Sequence, residues 1–190
     1  MHNVYDCVDS FISLLDTTYE LILGRKGVAV SLQITFDKKD CYHLMGLQYL
    51  KDRPELNRDR GKIFDELRER KLTKEKIESS DFYDKIVARI EMLPYLEILF
   101  DSNETIFKYN QKINNFSLIK ADYLMRNKIM NQIVYVFLGK SLENTYFCRS
   151  FFVEDKRDYT KNQASWTLLY KKKRRISTNE EIILYNKLVK

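Results

Sequence analysis

The chain has 190 residues, of which 44% are hydrophobic and 13% aromatic, and its formal net charge is +6. This length and composition exclude a disordered chain and predict a single domain, residues 1–190, with a buried core. The basic surplus favours a partner that carries phosphate, although many basic proteins bind no anion.

Targeting and redox features point to one compartment. Cys7, Cys41 and Cys148 are odd in number and have no repeated spacing, which argues against a disulfide framework and for a reducing environment. The first residues have no basic segment followed by an apolar run, so no signal peptide is expected. No apolar stretch reaches the roughly 18 residues that span a bilayer. The sequence therefore predicts a cytoplasmic protein without a membrane segment.

The chain begins with a predicted helix and a predicted hairpin. Apolar residues recur at helical spacing in residues 3–16, which indicates an amphipathic helix. Two runs within residues 19–36 alternate between apolar and polar side chains and are joined by "GRKG". This pattern is typical of a β-hairpin with one polar face.

A helical part is predicted over about residues 37–100. Asp40 is a candidate N-cap for a short helix over 41–50, and Pro94 is expected to break or kink a later one. Within this part an apolar stripe at helical spacing is formed by Phe82, Ile86, Ile90 and Leu93.

The rest of the chain predicts strands, mainly within residues 104–173. The predicted strands are 104–109, 131–139, 144–154 and 164–173. Residues 116–125 are ambiguous, and residues 180–188 fit a strand or a helix. The order of elements predicts an α+β fold in which the helix and the helical part cover an antiparallel sheet that includes the hairpin.

No motif for a nucleotide loop, a dinucleotide fold or a metal site is present. Cys41 and His43 are two residues apart on a predicted helix, so their side chains point in different directions. Asp37, Asp40 and Asp52 alternate with lysine and arginine, which compete as ion-pair partners. We therefore expect no metal and no cofactor.

His43 is the only histidine besides His2 at the start of the chain. It shares a predicted helix face with Leu47 and Leu50, so it could be a buried, inert side chain. Alternatively, it could be a general acid or base, because imidazole titrates near neutral pH.

Arg149 and Ser150 lie on the apolar strand "YFCRSFF". Strand periodicity places them on opposite faces. An arginine on a covered strand needs a carboxylate or a bound anion as its partner. Ser150 could equally be a small hydroxyl of the core.

The segment "KRDYTKNQASWTLLYKKK" interleaves basic residues with Tyr159, Trp166 and Tyr170. Such a mixture suits phosphate contacts and base stacking, but it also fits a solvated loop followed by a core strand.

Several stretches together resemble a known family. They are "YHLMGL", "RDRGKIFDEL", "SSDFYDKIVARIEML", "IKADYL", "YFCRSFF" and "DYTKNQASWTLLYKKK". The combination resembles the fourth subgroup of phage-associated nucleases related to barnase, EndoU, colicin and RelE, over about residues 5–188. The most specific elements are H-L-x-G-L at 43–47 and R-S-F-F at 149–152.

The resemblance implies helices packed on a four- or five-stranded antiparallel sheet, and metal-free cleavage of RNA. His43 matches the histidine of the first motif and Ser150 the hydroxyl of the second. Arg149 and Lys171 complete the expected catalytic group. Since His2 is the only other histidine, the second proton-transfer residue stays open. The residues expected to bind nucleic acid are Arg53, Arg58, Arg60, Tyr159, Lys172 and Lys173.

Two functions follow from the sequence. The first is a metal-independent RNase or tRNase, such as a toxin or effector of a phage or mobile element. The second is a catalytically idle relative that binds and inhibits a host protein or ribonucleoprotein. RNA is the expected partner, and an immunity protein or a host defence complex is a possible protein partner. His43, Arg149, Ser150 and Lys171 on one concave surface would favour the first function.

Overall fold

The structure is a computed structural model and describes residues 2–103, 105–114 and 116–188. The strands are β1 Thr17–Arg25, β2 Val28–Ile34, β3 Thr105–Lys108, β4 Tyr123–Ile129, β5 Gln132–Lys140, β6 Tyr146–Val153, β7 Ala164–Arg175 and β8 Glu181–Asn186. The α-helices are α1 Val4–Leu15, α2 Lys38–Met45, α3 Arg60–Arg68, α4 Lys74–Glu78, α5 Val87–Met92 and α6 Leu96–Asp101. Short 3₁₀ turns connect several of the helices.

Strands β1 to β7 close into a barrel in the order β1-β2-β6-β5-β4-β3-β7, and β7 returns to β1. The pairing of β2 with β6 is parallel and the others are antiparallel. Strand β8 adds to β7 outside the ring. The prediction of a four- or five-stranded antiparallel sheet covered by a helical part was therefore wrong.

The long strand β7 accounts for this difference. Its first residues, Ala164–Trp166, pair with β3, and Thr167–Arg175 pair with β1. One strand thus joins the N-terminal hairpin to the later meander. Alternation of side chains indicates strands but not their long-range partners, so the sequence pattern did not reveal the closure.

The helix and the hairpin at the start are found as predicted. Helix α1 is capped by Asn3 and Asp6 in a capping box. The hairpin turns at Lys26 and Gly27, which both have positive φ angles. Residues 37–100, in contrast, hold only short helices of 5 to 9 residues.

Two details of the predicted elements change. Helix α2 begins at Lys38 and is capped by Asp37, whereas Asp40 accepts a hydrogen bond from the Asp37 amide. The predicted cap at Asp40 was therefore wrong. The ambiguous segment becomes strand only from Tyr123 onward, and residues 180–188 contain the strand β8.

The hydrophobic core has a large and a small part. The large part joins the helices to one face of the barrel strands. The small part covers the other face of β4 and β5 and contains Leu124, Tyr135, Phe137 and the predicted RNA-binding residue Tyr159. Loops on this second face form one wall of the groove described below.

Candidate active site

Helix α2 positions His43 beside strand β6. His43 lies in the last turn of the helix, and its ring makes an edge contact with Tyr42, with 5.5 Å between the centroids. The helix ends at Gly46, whose φ of +84° is left-handed and suits glycine. Leu47 then enters the core while His43 stays half-buried. The His43 side chain is thus packed on one side and accessible to solvent on the other.

A β-bulge in β6 brings Arg149 and Ser150 to the same cleft. Ser150 pairs with Phe137 and Cys148 pairs with Leu138, so Arg149 is the extra residue of the bulged strand. In a regular strand these two neighbours would point to opposite faces. The bulge instead lets both line one cleft while Cys148 remains in the core.

The cleft has a volume of about 260 Å³. Its polar lining comes from α2, from the turn after it, from the β3–β4 loop and from β6. These residues are His43, Gln48, Tyr49, Lys120, Arg149 and Ser150. The structure therefore brings together three of the four side chains that the sequence assigned to catalysis.

The electrostatics of the cleft keep His43 neutral near pH 7. Burial lowers the pKa of the imidazole below its usual 6.5, and the charges of Arg60 and Arg149 lower it further. Contact with the Gln48 side chain raises the pKa, but by less than burial and the charge of Arg60 each lower it. A neutral imidazole can accept a proton, so His43 has the protonation state of a general base.

Asp40 lies one turn before His43 on α2. Burial raises the pKa of its carboxyl from 3.8 to about 6, and the nearby charge of Arg149 lowers it by a smaller amount. Asp40 and Arg149 therefore interact electrostatically, although they do not form an ion pair.

A groove of about 440 Å³ continues from the cleft. Tyr49, Leu118, Ile119 and Ser150 line both. The groove also contains Arg89, which the sequence analysis did not single out. The sequence feature that could have indicated Arg89 is its position directly before Ile90, beside the apolar stripe of this predicted helix.

The cleft cations differ from the other predicted nucleic-acid contacts in their pairing. Within the described ranges, no carboxylate lies at ion-pairing distance from Lys120 or Arg149, which line the cleft. The same holds for Arg60, which does not line the cleft but whose charge acts on His43. Acidic partners, in contrast, hold four of the predicted contacts. These pairs are Arg53 with Asp52, Arg58 with Glu66, Lys172 with Glu20 and Glu181, and Lys173 with Glu97 and Asp101.

Lys171 does not line the cleft. It is fully buried, and its ammonium donates to the main-chain oxygens of Phe100 and Ser102. It lies opposite Leu21 in the β7–β1 pairing, so closure of the barrel turns it inward. Tyr159 has only 8% of its surface exposed, but it lines the groove next to the cleft.

Two further findings concern metals and membranes. In the part of the chain that the structure describes, no group of three or more His, Cys, Asp or Glu side chains could hold a metal ion. No helix among these residues is long and apolar enough to cross a bilayer.

Comparison with known families adds an independent finding. The model of the family described as phage-Barnase-EndoU-ColicinE5/D-RelE like nuclease4 matches residues 3–188, nearly the whole chain. The chain belongs to this family. Membership in a phage-associated nuclease family makes nucleic acid the expected class of substrate. No curated protein and no solved structure matches the chain significantly.

The range that the family model matches contains both segments that build the cleft. The match includes both H-L-x-G-L at 43–47 and R-S-F-F at 149–152. The first motif supplies His43 and the Gly46 that ends its helix, and the second supplies the bulged pair Arg149 and Ser150. In this member of the nuclease family, two segments more than one hundred residues apart in sequence thus build one cleft.

Proposed function

We propose that the protein is a metal-independent endoribonuclease that cleaves RNA by attack of a ribose 2′-OH on the adjacent phosphate. The observation that supports this proposal is the convergence of His43, Arg149 and Ser150 on one cleft with cations that lack carboxylate partners. The family match makes a nuclease the expected class of enzyme. A phage or mobile-element toxin or effector is the biological role that we infer from this activity.

In the proposed reaction, His43 takes the proton of the 2′-OH. The freed oxygen attacks the phosphorus and forms a phosphorane that carries two negative charges. Arg149 stabilises these charges, and Lys120 is at the cleft to assist. The hydroxyl of Ser150 is placed to donate a hydrogen bond to a phosphate oxygen.

The departing 5′-oxygen needs a proton from a second group. His2 does not supply it, because it does not line the cleft; its main-chain amide donates to Glu91 and its ring contacts Tyr95. Tyr49 and Lys120 line the cleft and carry hydrogens that can be transferred. The reaction then leaves a 2′,3′-cyclic phosphate and a free 5′-hydroxyl, with no atom supplied by a metal.

The test uses oligoribonucleotides in excess EDTA. We expect cleavage to persist, to leave 2′,3′-cyclic phosphate ends, and to stop when the scissile position carries a 2′-deoxy residue. His43→Ala should slow cleavage by roughly 10²–10⁴-fold, the usual effect of losing a general base. Circular dichroism and thermal unfolding of the variant would establish that it is folded.

Several outcomes would contradict the proposal. Cleavage through a deoxy position, or cleavage only with added Mg²⁺ or Mn²⁺, would exclude the 2′-OH mechanism. An unchanged rate per folded molecule of His43→Ala would make His43 a packing residue. If wild-type protein cut no RNA under any condition, the idle relative that binds a host protein or ribonucleoprotein would become the better hypothesis.

A further inference from the structure

The groove beside the cleft contains a guanidinium that the proposed reaction does not use. Arg89 on α5 donates to the main-chain oxygen of Phe151. Its Cζ atom lies 5.4 Å from the ring centroid of Tyr49 and 5.4 Å from that of Phe152. Burial of the charge lowers the pKa of Arg89, and no carboxylate of the described residues offsets that burial. A half-buried cation without a carboxylate partner is suited to binding an anion.

Lys85 adds a second positive charge at the same groove. It is exposed, and its Nζ atom lies 4.4 Å from the ring centroid of Phe82. Asp155 also lines the groove and brings one negative charge. The two cations Lys85 and Arg89 outnumber it, so the lining keeps a positive charge that attracts a phosphate.

Exposed aromatic rings line the same groove. Tyr49 and Phe116 are each 41% exposed, which is high for large hydrophobic side chains. Phe116 makes an edge contact with Tyr159, with 5.2 Å between the ring centroids, and Tyr159 is itself buried. An exposed ring supported by a buried one offers a firm surface on which a base can stack.

We propose that this aromatic groove binds the nucleotide one position beyond the two that flank the scissile phosphate, with its phosphate at Lys85 and Arg89 and its base against Phe116. The proposal rests on the proposed function, since it places RNA in the cleft. Tyr49 and Ser150 line both cavities, so a strand can pass from one to the other. The groove volume of about 440 Å³ is within the usual range for a small-ligand site.

The test measures binding rather than cleavage. Single strands of two, three and four nucleotides are made with 2′-fluoro sugars, which cannot attack the phosphate, and binding is followed by fluorescence anisotropy. We expect wild-type protein to bind a trinucleotide about tenfold more tightly than a dinucleotide, because one more base stacks and one more phosphate is contacted. We call this roughly tenfold increase in affinity from dinucleotide to trinucleotide the gain. The double variant Lys85→Gln, Phe116→Ala should lose the gain and keep its affinity for the dinucleotide.

A matched control changes the same kinds of side chain elsewhere. Lys26 and Leu142 are exposed and do not line the groove. The double variant Lys26→Gln, Leu142→Ala should keep the full gain, and Phe116→Tyr, which keeps the ring, should keep most of it.

The outcomes separate this inference from the proposed function. A gain that survives in the Lys85, Phe116 variant, or an equal loss on the dinucleotide and the longer strands, would overturn the inference. Absence of any gain in wild-type protein would also overturn it. If the gain is present but natural RNA is not cut, the subsite stands and the RNase proposal fails.

Discussion

The imidazole of His43 shows how single residues set the chemistry of the cleft. It is half-buried and faces the charges of Arg60 and Arg149, and all three conditions disfavour its protonated form. The folded-state pKa of His43 is therefore below its ordinary value of 6.5, and the neutral form is present above that lowered pKa. The step that needs neutral His43 should therefore decline on the acid side, as the pH falls through that lowered pKa.

Replacing Arg60 by glutamine tests this environment. Loss of the positive charge should raise the pKa of His43, so the acid limb of the kcat/KM profile should move to higher pH. The measurement is kcat/KM for RNA across pH 4.5 to 8 at fixed ionic strength, where the limb reports the free enzyme. Lys62→Gln on the same helix is the control, since Lys62 does not contribute to the pKa of His43. A limb that stays in place would exclude this role of Arg60.

Residue types alone predicted part of the cleft. His43 was accessible to sequence reasoning because it is nearly unique, and Arg149 because a charge on an apolar strand needs an explanation. Lys171 was misleading, because its inward orientation depends on the pairing of β7 with β1. Arg89 was missed, because a helical stripe gives no sign that a neighbouring arginine lacks an acidic partner.

Two local irregularities of the elements position the side chains that line the cleft. The bulge at Arg149 brings two adjacent side chains of β6 to one side. The left-handed Gly46 ends α2 and lets the chain pass close to α5. A Cβ atom at Gly46 would lie 2.9 Å from Cδ of Arg89 and 2.9 Å from Cγ2 of Ile86. Neither irregularity follows from hydrophobic periodicity, which assumes regular helices and strands.

Gly46→Ala should therefore be more damaging than an alanine at another left-handed glycine. Gly27 in the hairpin turn has a φ of +78°, and nothing lies within 4 Å of a Cβ there, so Gly27→Ala isolates the backbone cost. We expect Gly27→Ala to lower the free energy of unfolding by about 1–2 kcal/mol. Gly46→Ala should lower it by roughly 1–3 kcal/mol more, because Arg89 and Ile86 must move. Urea denaturation measures both, and equal losses would show that the contacts of Gly46 are easily relaxed.

On the scale of the whole molecule, only some of the cations behind the net charge of +6 are free to contact nucleic acid. Several basic residues of β7 form ion pairs within the protein. Lys173 pairs with Glu97 and Asp101, and Arg175 also binds Glu97. The basic run at 171–175 therefore looks like a nucleic-acid contact in sequence but belongs largely to the internal structure. Only the closed barrel distinguishes these cations from those at the cleft.

The salt dependence of RNA binding should reflect this distribution. Each phosphate contact on a single strand contributes about −0.7 to the slope of log affinity against log salt. We expect Arg60→Gln, Lys120→Gln, which removes two such contacts, to reduce the size of the slope by about 1.4. The slope is measured by anisotropy with an uncleavable strand. The control Arg58→Gln, Lys172→Gln removes the same charge but takes cations from existing ion pairs, and it should leave the slope nearly unchanged. Equal slopes for the two variants would contradict this distribution.

The parallel contact between β2 and β6 has a consequence for when activity arises during folding. It consists of the pair Ile34 and Tyr146, together with a hydrogen bond from the Thr35 amide to the Tyr146 oxygen, 2.9 Å long. It joins positions about 110 residues apart, and a loop of that length is entropically costly to close. His43 follows β2 and Arg149 lies on β6, so the cleft straddles this junction. A nascent or partly folded chain lacks the assembled cleft, so the proposed nuclease activity would require completion of the native state.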